Sequence, residues 1–205
     1  MSTKKASYFL GLLTLSIAGT AVIAFAATAG DITGTIKVAG VRDSANVVVF
    51  LEGNGLKAAP LPKHAVMDQQ NLAFTPHVLA VPKGTAVDFP NSDKVRHNVY
   101  SAAEGAKRLN LGTYPAGVTK TEEFGEIGVV PLLCNVHSDM SGFILVVDTP
   151  YFATTDKYGR FSIKGVPAGK YTLRAWHEKV KSAEREITVA AGGPTQVEIE
   201  MAGRK

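Results

Sequence analysis

The chain has 205 residues, a formal net charge of +4 and a single cysteine. This length suits one large domain or two small ones. The charge is weak and no run of Lys and Arg exceeds two residues, which argues against a nucleic-acid partner. A lone cysteine excludes an internal disulfide, so core burial or a metal must stabilise the fold.

The first residues predict a secretory signal. Lys4 and Lys5 precede an apolar run, Tyr8–Phe25, and small residues then form two cleavage patterns at 24–26 and 27–29. We expect residues 1–29 to be a signal peptide and the rest of the chain to be periplasmic or otherwise exported, with no membrane contact after cleavage. The alternative is an uncleaved anchor, because the apolar run approaches the ~17–25 residues that span a bilayer.

From residue 31 onward the pattern predicts an all-β fold. Short runs rich in Val, Ile, Phe and Tyr alternate with Gly, Pro, Asn and Asp, which is typical of sandwich folds. Residues 102–118 are predicted as a polar loop with at most one helical turn, and Leu56–Pro62 as a linker. The predicted strands are Ile32–Val38, Val47–Glu52, Val78–Val81, Thr85–Phe89, His97–Ser101, Lys120–Phe124, Val129–Cys134, Phe143–Asp148, Arg160–Lys164, Tyr171–His177, Glu184–Val189 and Gln196–Met201.

Cys134 opens a short motif, Cys134-Asn-Val-His137-Ser-Asp-Met140, and His97 lies upstream. Together these residues can supply one thiolate, two imidazoles and one thioether. That set matches a mononuclear copper site with a weak axial methionine, which usually transfers electrons. In the alternative interpretation Cys134 is a small buried hydrophobe and the two histidines are surface groups.

The segment 63–148 resembles the cupredoxins, most closely the plastocyanin and amicyanin group. The resemblance implies a Greek-key β-sandwich holding one type 1 copper, with His97, Cys134, His137 and Met140 as ligands. It also implies that Asn98 ties the ligand loops together near the cysteine sulfur. Asn135 departs from the Ser or Thr that is common after the cysteine. The matching stretches are Asn71–Pro76, Val81–Phe89, Asn91–Asp93, His97–Val99, Cys134–Met140 and Gly142–Val147.

A second resemblance covers the C-terminal part. Thr155–Phe161 and Gly165–Leu173 look like the second half of the carboxypeptidase-regulatory, transthyretin-like module, whose first half would read like Gly34–Val38 and Ala45–Glu52. We therefore expect a cupredoxin domain inserted into a transthyretin-like sandwich. The alternative is that the first strands only extend the cupredoxin edge. The predicted division is 31–55 for the first strands of the outer sandwich, 63–148 for the insertion and 150–205 for the remainder.

These observations predict an exported type 1 copper protein that transfers single electrons and has no enzymatic activity of its own. An unidentified redox protein is expected to dock near His137, where Asp139 makes the surroundings polar. The alternatives are a periplasmic copper-binding or copper-delivery protein, and a non-redox surface-binding module. His64 and His77 are expected at the surface, and His177 outside any metal site. Four aromatic residues are expected at core positions: Tyr151, Tyr158, Tyr171 and Trp176.

Overall fold

The computed structural model describes residues 29–53, 55–102 and 107–203, and within these ranges the chain forms strands without helices. The predicted all-β fold class is confirmed. Apart from Ala29, the signal peptide predicted for residues 1–29 lies outside the described residues. In the part of the chain that the structure describes, no helix is long and apolar enough to cross a membrane.

Seventeen strands occupy the described residues, numbered here in chain order. They are β1 (Ala29–Val38), β2 (Val48–Glu52), β3 (Ala65–Val66), β4 (Asp68–Gln70), β5 (Ala73–Thr75), β6 (Val78–Pro82), β7 (Thr85–Pro90), β8 (His97–Ser101), β9 (Leu109–Tyr114), β10 (Thr119–Phe124), β11 (Gly128–Leu133), β12 (Ser141–Val147), β13 (Phe152–Thr154), β14 (Arg160–Pro167), β15 (Gly169–Trp176), β16 (Ala183–Val189) and β17 (Pro194–Met201).

One sandwich, called here the site sandwich, packs a five-stranded sheet of order β6-β12-β11-β8-β9 on a three-stranded sheet of order β10-β7-β3. Side chains from both sheets fill its core, including Phe89, Phe124, Leu132 and Ile144. Alternate residues of β7 point inward, as the two-residue period of a strand requires. The hairpin β4-β5 closes one end, with Phe74 in the same core.

The other sandwich, called here the terminal sandwich, pairs a sheet of order β14-β1-β17 with a sheet of order β13-β2-β15-β16. β1 runs antiparallel to β14 and parallel to β17, and β2 lies between β13 and β15. The two N-terminal strands therefore complete sheets whose other members come from the C-terminal part of the chain. Ile32, Leu51, Leu173 and Val197 meet in its apolar core.

The two sandwiches stack sheet on sheet. Val48 and Phe50 project from β2 toward Leu145 and Val147 of β12, forming an apolar interface distinct from either core. This contact explains why consecutive residues of β2 are buried, since one face turns to its own core and the other to the site sandwich. At the rim of the interface Phe143 packs edge-on against Trp176, with ring centroids 5.6 Å apart.

The predicted loop over residues 102–118 is wrong in part, because it contains β9. This strand pairs with β8 and buries only its two end residues, Leu109 and Tyr114. Its middle residues are mostly exposed, so neither alternation nor an apolar run marks it in the sequence. The short strands β3, β4, β5 and β13 were also missed, because two or three residues show no periodicity.

Candidate metal centre

His97 is the first residue of β8 and is fully buried. It shares a face of the strand with Val99, two residues on, which lies in the core of the site sandwich. The opposite residue on β9 is Tyr114. The imidazole of His97 is therefore held inside the sandwich by β8, which is paired with β11 along one edge and with β9 along the other.

Cys134 directly follows the last residue of β11 and is only 5% exposed. β8 and β11 are neighbours in the sheet, so their ends bring Cys134 close to the start of β8. The backbone N–H of Asn98 donates to the Cys134 sulfur at 3.4 Å. Two adjacent strands thus position the thiol beside His97.

The tight turn between β11 and β12 carries His137 and Met140. Its backbone is closed by the Met140 N–H, which donates to the His137 carbonyl at 3.1 Å. Met140 is buried in the same core as Cys134, whereas the His137 side chain is half-buried and reaches the surface. Residue 142, which follows the turn, is glycine because the backbone passes close to Phe74. A Cβ atom at this position would lie 2.9 Å from the Phe74 Cβ.

The structure brings His97, Cys134 and His137 together. The Nδ1 atoms of the two histidines lie 3.0 Å apart, and His97 Nδ1 lies 4.0 Å from the Cys134 sulfur. One potential ligand atom from each of the three residues lies within 4.8 Å of the others, the only such group among the described residues. The side chains come from the ends of two strands that are far apart in the sequence but adjacent in the sheet, and from one turn, so this convergence is a property of the tertiary fold.

The donor set fits copper. Two imidazoles and a thiolate with a methionine in the same core match the His₂Cys sites with a weak axial thioether that bind copper, whereas structural zinc sites have four strong ligands. The two Nδ1 atoms face one another, and the buried sulfur accepts one backbone N–H, from Asn98, which leaves it a further lone pair for a metal. When bound, copper supplies a one-electron redox couple.

Asn98 connects the two segments that carry the ligands. Its side-chain oxygen accepts the backbone N–H of Asn135 at 3.4 Å, and its Nδ2 donates to Asn110 at 3.0 Å. The contact to residue 135 is made by the backbone, so it does not depend on a Ser or Thr side chain there. The departure at Asn135 leaves this link intact.

Asp93 is a neighbour of the site that the sequence reasoning missed. Its Oδ2 lies 3.0 Å from Nε2 of His97, on the side of the ring opposite the cluster. The Leu72 N–H, the His97 ring and the Lys94 N–H all donate to this carboxyl and hold the pKa of Asp93 below its ordinary value. The signals in the sequence were its position four residues before a predicted ligand histidine and its place in the Asn91–Asp93 stretch that resembles the cupredoxins.

A buried polar network lies behind His97. The Tyr114 hydroxyl donates to the Phe89 carbonyl at 2.9 Å and accepts a short bond from Gln69. Burial raises the pKa of Tyr114 to about 12, so the phenol stays neutral. The network bonds the Tyr114 hydroxyl and the Gln69 Nε2, which also donates to the Pro90 carbonyl, whereas the buried Gln69 Oε1 has no partner among the described residues.

The structure corrects two predictions about residues outside the site. His77 is not simply a surface group, because its Nε2 pairs with Glu178 of the terminal sandwich at 2.9 Å. Tyr158 is 61% exposed and is therefore wrong as a core residue. His64 is exposed as predicted, and His177 is buried, with its Nδ1 accepting the Lys179 N–H.

Comparison with known proteins tests the resemblances that the sequence predicts. The family model of the carboxypeptidase regulatory-like domain matches residues 142–202, which confirms the predicted resemblance of the C-terminal part. The match begins in β12, a strand of the site sandwich, and continues through β17. No curated protein matches the chain.

The resemblance to cupredoxins is found among solved structures. A copper-containing nitrite reductase from Thermus scotoductus SA-01 is 25% identical over 48% of this chain and 25% of its own, with a TM-score of 0.41. A purple cupredoxin from Nitrosopumilus maritimus is 26% identical over 40% of this chain and 99% of its own, with a TM-score of 0.37. A mutant amicyanin in its reduced state is 20% identical over 48% of this chain and 98% of its own, with a TM-score of 0.39. What the site can do follows from its own side chains.

Proposed function

We propose that this protein transfers single electrons through one type 1 copper bound by His97, Cys134 and His137, with Met140 as the axial ligand. The observation that carries the proposal is the convergence of two imidazole nitrogens and one buried thiol within 4.8 Å. The protein is proposed to act as an electron carrier and not as an enzyme, since electron exchange needs no substrate pocket at the metal.

Rigidity of the ligand set supports electron transfer over metal delivery. His97, Cys134 and Met140 are all less than a tenth exposed, and two strands and a closed turn hold them. Such a site changes little when the metal changes oxidation state, whereas a delivery protein must open its ligands to a receiving partner. The buried position of the free thiol also suits an oxidising compartment, which supports the proposed export to the periplasm or beyond.

The surface around His137 supports docking of a redox partner. His137 is the most exposed member of the cluster, and Val136 next to it in the chain is 47% exposed. Leu72, whose N–H bonds Asp93, and Val95, two residues after Asp93, are exposed apolar residues as well. Apolar groups at the centre of a contact exclude water, and charges at its rim steer encounter. We propose that an exported redox protein docks here, with Asp139 at the rim favouring a positively charged partner.

The strand pairing supports the proposed domain division. β1 and β2 pair with strands that follow residue 150, and the site sandwich lies between β2 and β13 along the chain. The segment 63–148 is thus proposed as a copper domain inserted into a transthyretin-like sandwich formed by 31–55 and 150–205.

Voltammetry of the copper-loaded protein tests the proposed function. We expect a reversible one-electron wave, with copper retained through repeated cycles. Met140→Leu should raise the reduction potential, because the axial thioether tunes the copper couple. Met67→Leu is the matched control, since Met67 is fully buried in the same core and the exchange conserves volume. Loss of copper on reduction would instead favour delivery, and an equal shift in both variants would exclude an axial role for Met140.

A further inference from the structure

We propose that Asp93 is a positioning residue that lowers the reduction potential of the copper by fixing the His97 ring and presenting a negative charge to it. The inference rests on the proposed copper site. It assigns a role to a carboxylate that is not itself a ligand, and so concerns how the site is tuned rather than whether it binds metal.

Asp93 is hydrogen-bonded to the ring of His97. The Asp93 Oδ2 lies 3.0 Å from Nε2, while Nδ1 of the same ring faces His137 and Cys134. An ionised carboxylate only accepts, so Nε2 carries the proton and Nδ1 keeps its lone pair for the metal. Partners of this kind fix the tautomer and orientation of a ligand histidine and raise its basicity.

The Asp93 carboxylate is itself held in place by backbone N–H groups. The Leu72 N–H donates to Oδ2 at 2.8 Å, and the Lys94 N–H donates to Oδ1 at 3.0 Å. The backbone N–H of Asp93 donates to the side chain of Asn91, which is almost completely buried. Both carboxylate oxygens and the backbone are thus engaged, and the carboxylate cannot turn away from His97 without losing these bonds.

An unusual turn at Asn71 and Leu72 supplies one of these bonds. Asn71 and Leu72 join β4 to β5 with φ angles of 57° and 58°. Two residues of positive φ form the tight hairpin turn that Gly normally favours, and a leucine there is strained. The Leu72 side chain is half-exposed, so core packing does not offset this strain, and its N–H donates to Asp93.

The consequence is selective stabilisation of the oxidised metal. A fixed negative charge hydrogen-bonded to a ligand ring favours the more positive oxidation state, because the ligand becomes a better donor and the site less positive. Loss of such an outer partner typically weakens metal affinity by about 10–100-fold. If Cu(II) alone loses tenfold, the reduction potential rises by about 59 mV.

The test compares Asp93→Asn with Asp139→Asn in the copper-loaded full chain. Both variants remove one negative charge near the site, but only Asp93 is hydrogen-bonded to a ligand, and Asp139 is exposed on the turn. We expect a clear rise in reduction potential and a loss of Cu(II) affinity for Asp93→Asn, and a much smaller change for Asp139→Asn. Equal shifts in the two variants would overturn the proposal.

A measurement on the metal-free protein keeps the proposal testable if Asp93→Asn fails to fold. The Nε2 proton of His97 should give a slowly exchanging, deshielded imidazole resonance in the wild type, and its absence would overturn the proposal. Leu72→Gly retains the donating N–H and relieves the turn, so it should preserve the potential; a shift as large as that of Asp93→Asn would also contradict the account. If the wild type shows no thiolate–copper band, the proposed function fails, whatever the resonance shows.

Discussion

The two sandwiches are built on similar strands but fill their interiors differently. The terminal sandwich encloses mainly hydrocarbon, whereas the site sandwich buries His97, Asn98, Asn91 and Gln69 beside its apolar residues. Buried imidazole and amide groups are destabilising unless each is hydrogen-bonded. In the site sandwich Asp93, Tyr114 and backbone carbonyls bond most of these groups, but the Gln69 Oε1 has no partner among the described residues. The polar interior therefore lies beside the candidate metal centre at some cost to the stability of the fold.

The largest expected effects come from truncating a core leucine in each sandwich. Leu132 and Leu173 are both fully buried, one in each core. Either change to Ala should lower the free energy of unfolding by about 2–5 kcal/mol, measured by denaturant titration of the metal-free protein. Only Leu132→Ala should also weaken copper binding, because Leu132 lies two residues before Cys134. An equal loss of copper affinity in Leu173→Ala would contradict the division of roles.

A smaller effect is expected where the sandwiches meet. Trp176→Ala removes a partly buried ring that packs on Phe143, and should destabilise the protein by about 1–3 kcal/mol. It should also increase proteolytic cleavage between residues 55 and 63, since the stacked sheets would separate more readily. Tyr158→Ala is the control, because that ring is 61% exposed and its loss should change stability by less than about 0.5 kcal/mol. A loss of stability in Trp176→Ala as small as that in Tyr158→Ala would show that the interface contributes nothing to stability.

The smallest effect concerns the pH dependence of the terminal sandwich. Burial lowers the pKa of His177, and the nearby Glu178 carboxylate only partly opposes it. The unfolded chain therefore binds more protons than the folded chain below about pH 6.5, and stability falls as the pH drops through that range. His177→Asn keeps an acceptor for the Lys179 N–H and should flatten the fall between about pH 7.5 and 5.5.

The control for this change is Gln196→Asn, which alters an exposed residue of the terminal sandwich and removes no titratable group. Unfolding measured at several pH values should show the wild-type slope for this variant and a reduced slope for His177→Asn. The same slope in all three proteins would mean that His177 does not carry the dependence. Carboxylates with lowered pKa, such as Asp156 beside Arg160, lose their contribution only at more acidic pH, so they do not interfere.

The sequence predicted most strands because they are long and apolar, and β8 was predicted with its observed bounds. It also singled out the residues that the fold brings together, since Cys134 and His137 share a short motif. It could not place Asp93, whose role depends on the Leu72 turn, 21 residues earlier in the chain. Nor could it distinguish the core face of β12 from its interface face, because a continuous apolar run has no period.

The stacking of the two sandwiches was also beyond the sequence. Phe143 and Trp176 belong to different predicted domains, and each fits the pattern of a core residue of its own strand. Only the tertiary structure shows that they meet, and that His77 and Glu178 pair across the same boundary.

The most direct test of the central claim is the visible absorption and electron paramagnetic resonance spectrum of the protein after addition of Cu(II), measured beside Cys134→Ser. We predict an intense thiolate-to-copper band with one copper per chain in the wild type, and complete loss of that band in the variant. A colourless wild type, or a spectrum that is the same in Cys134→Ser, would contradict the copper–thiolate site on which the proposed electron transfer depends.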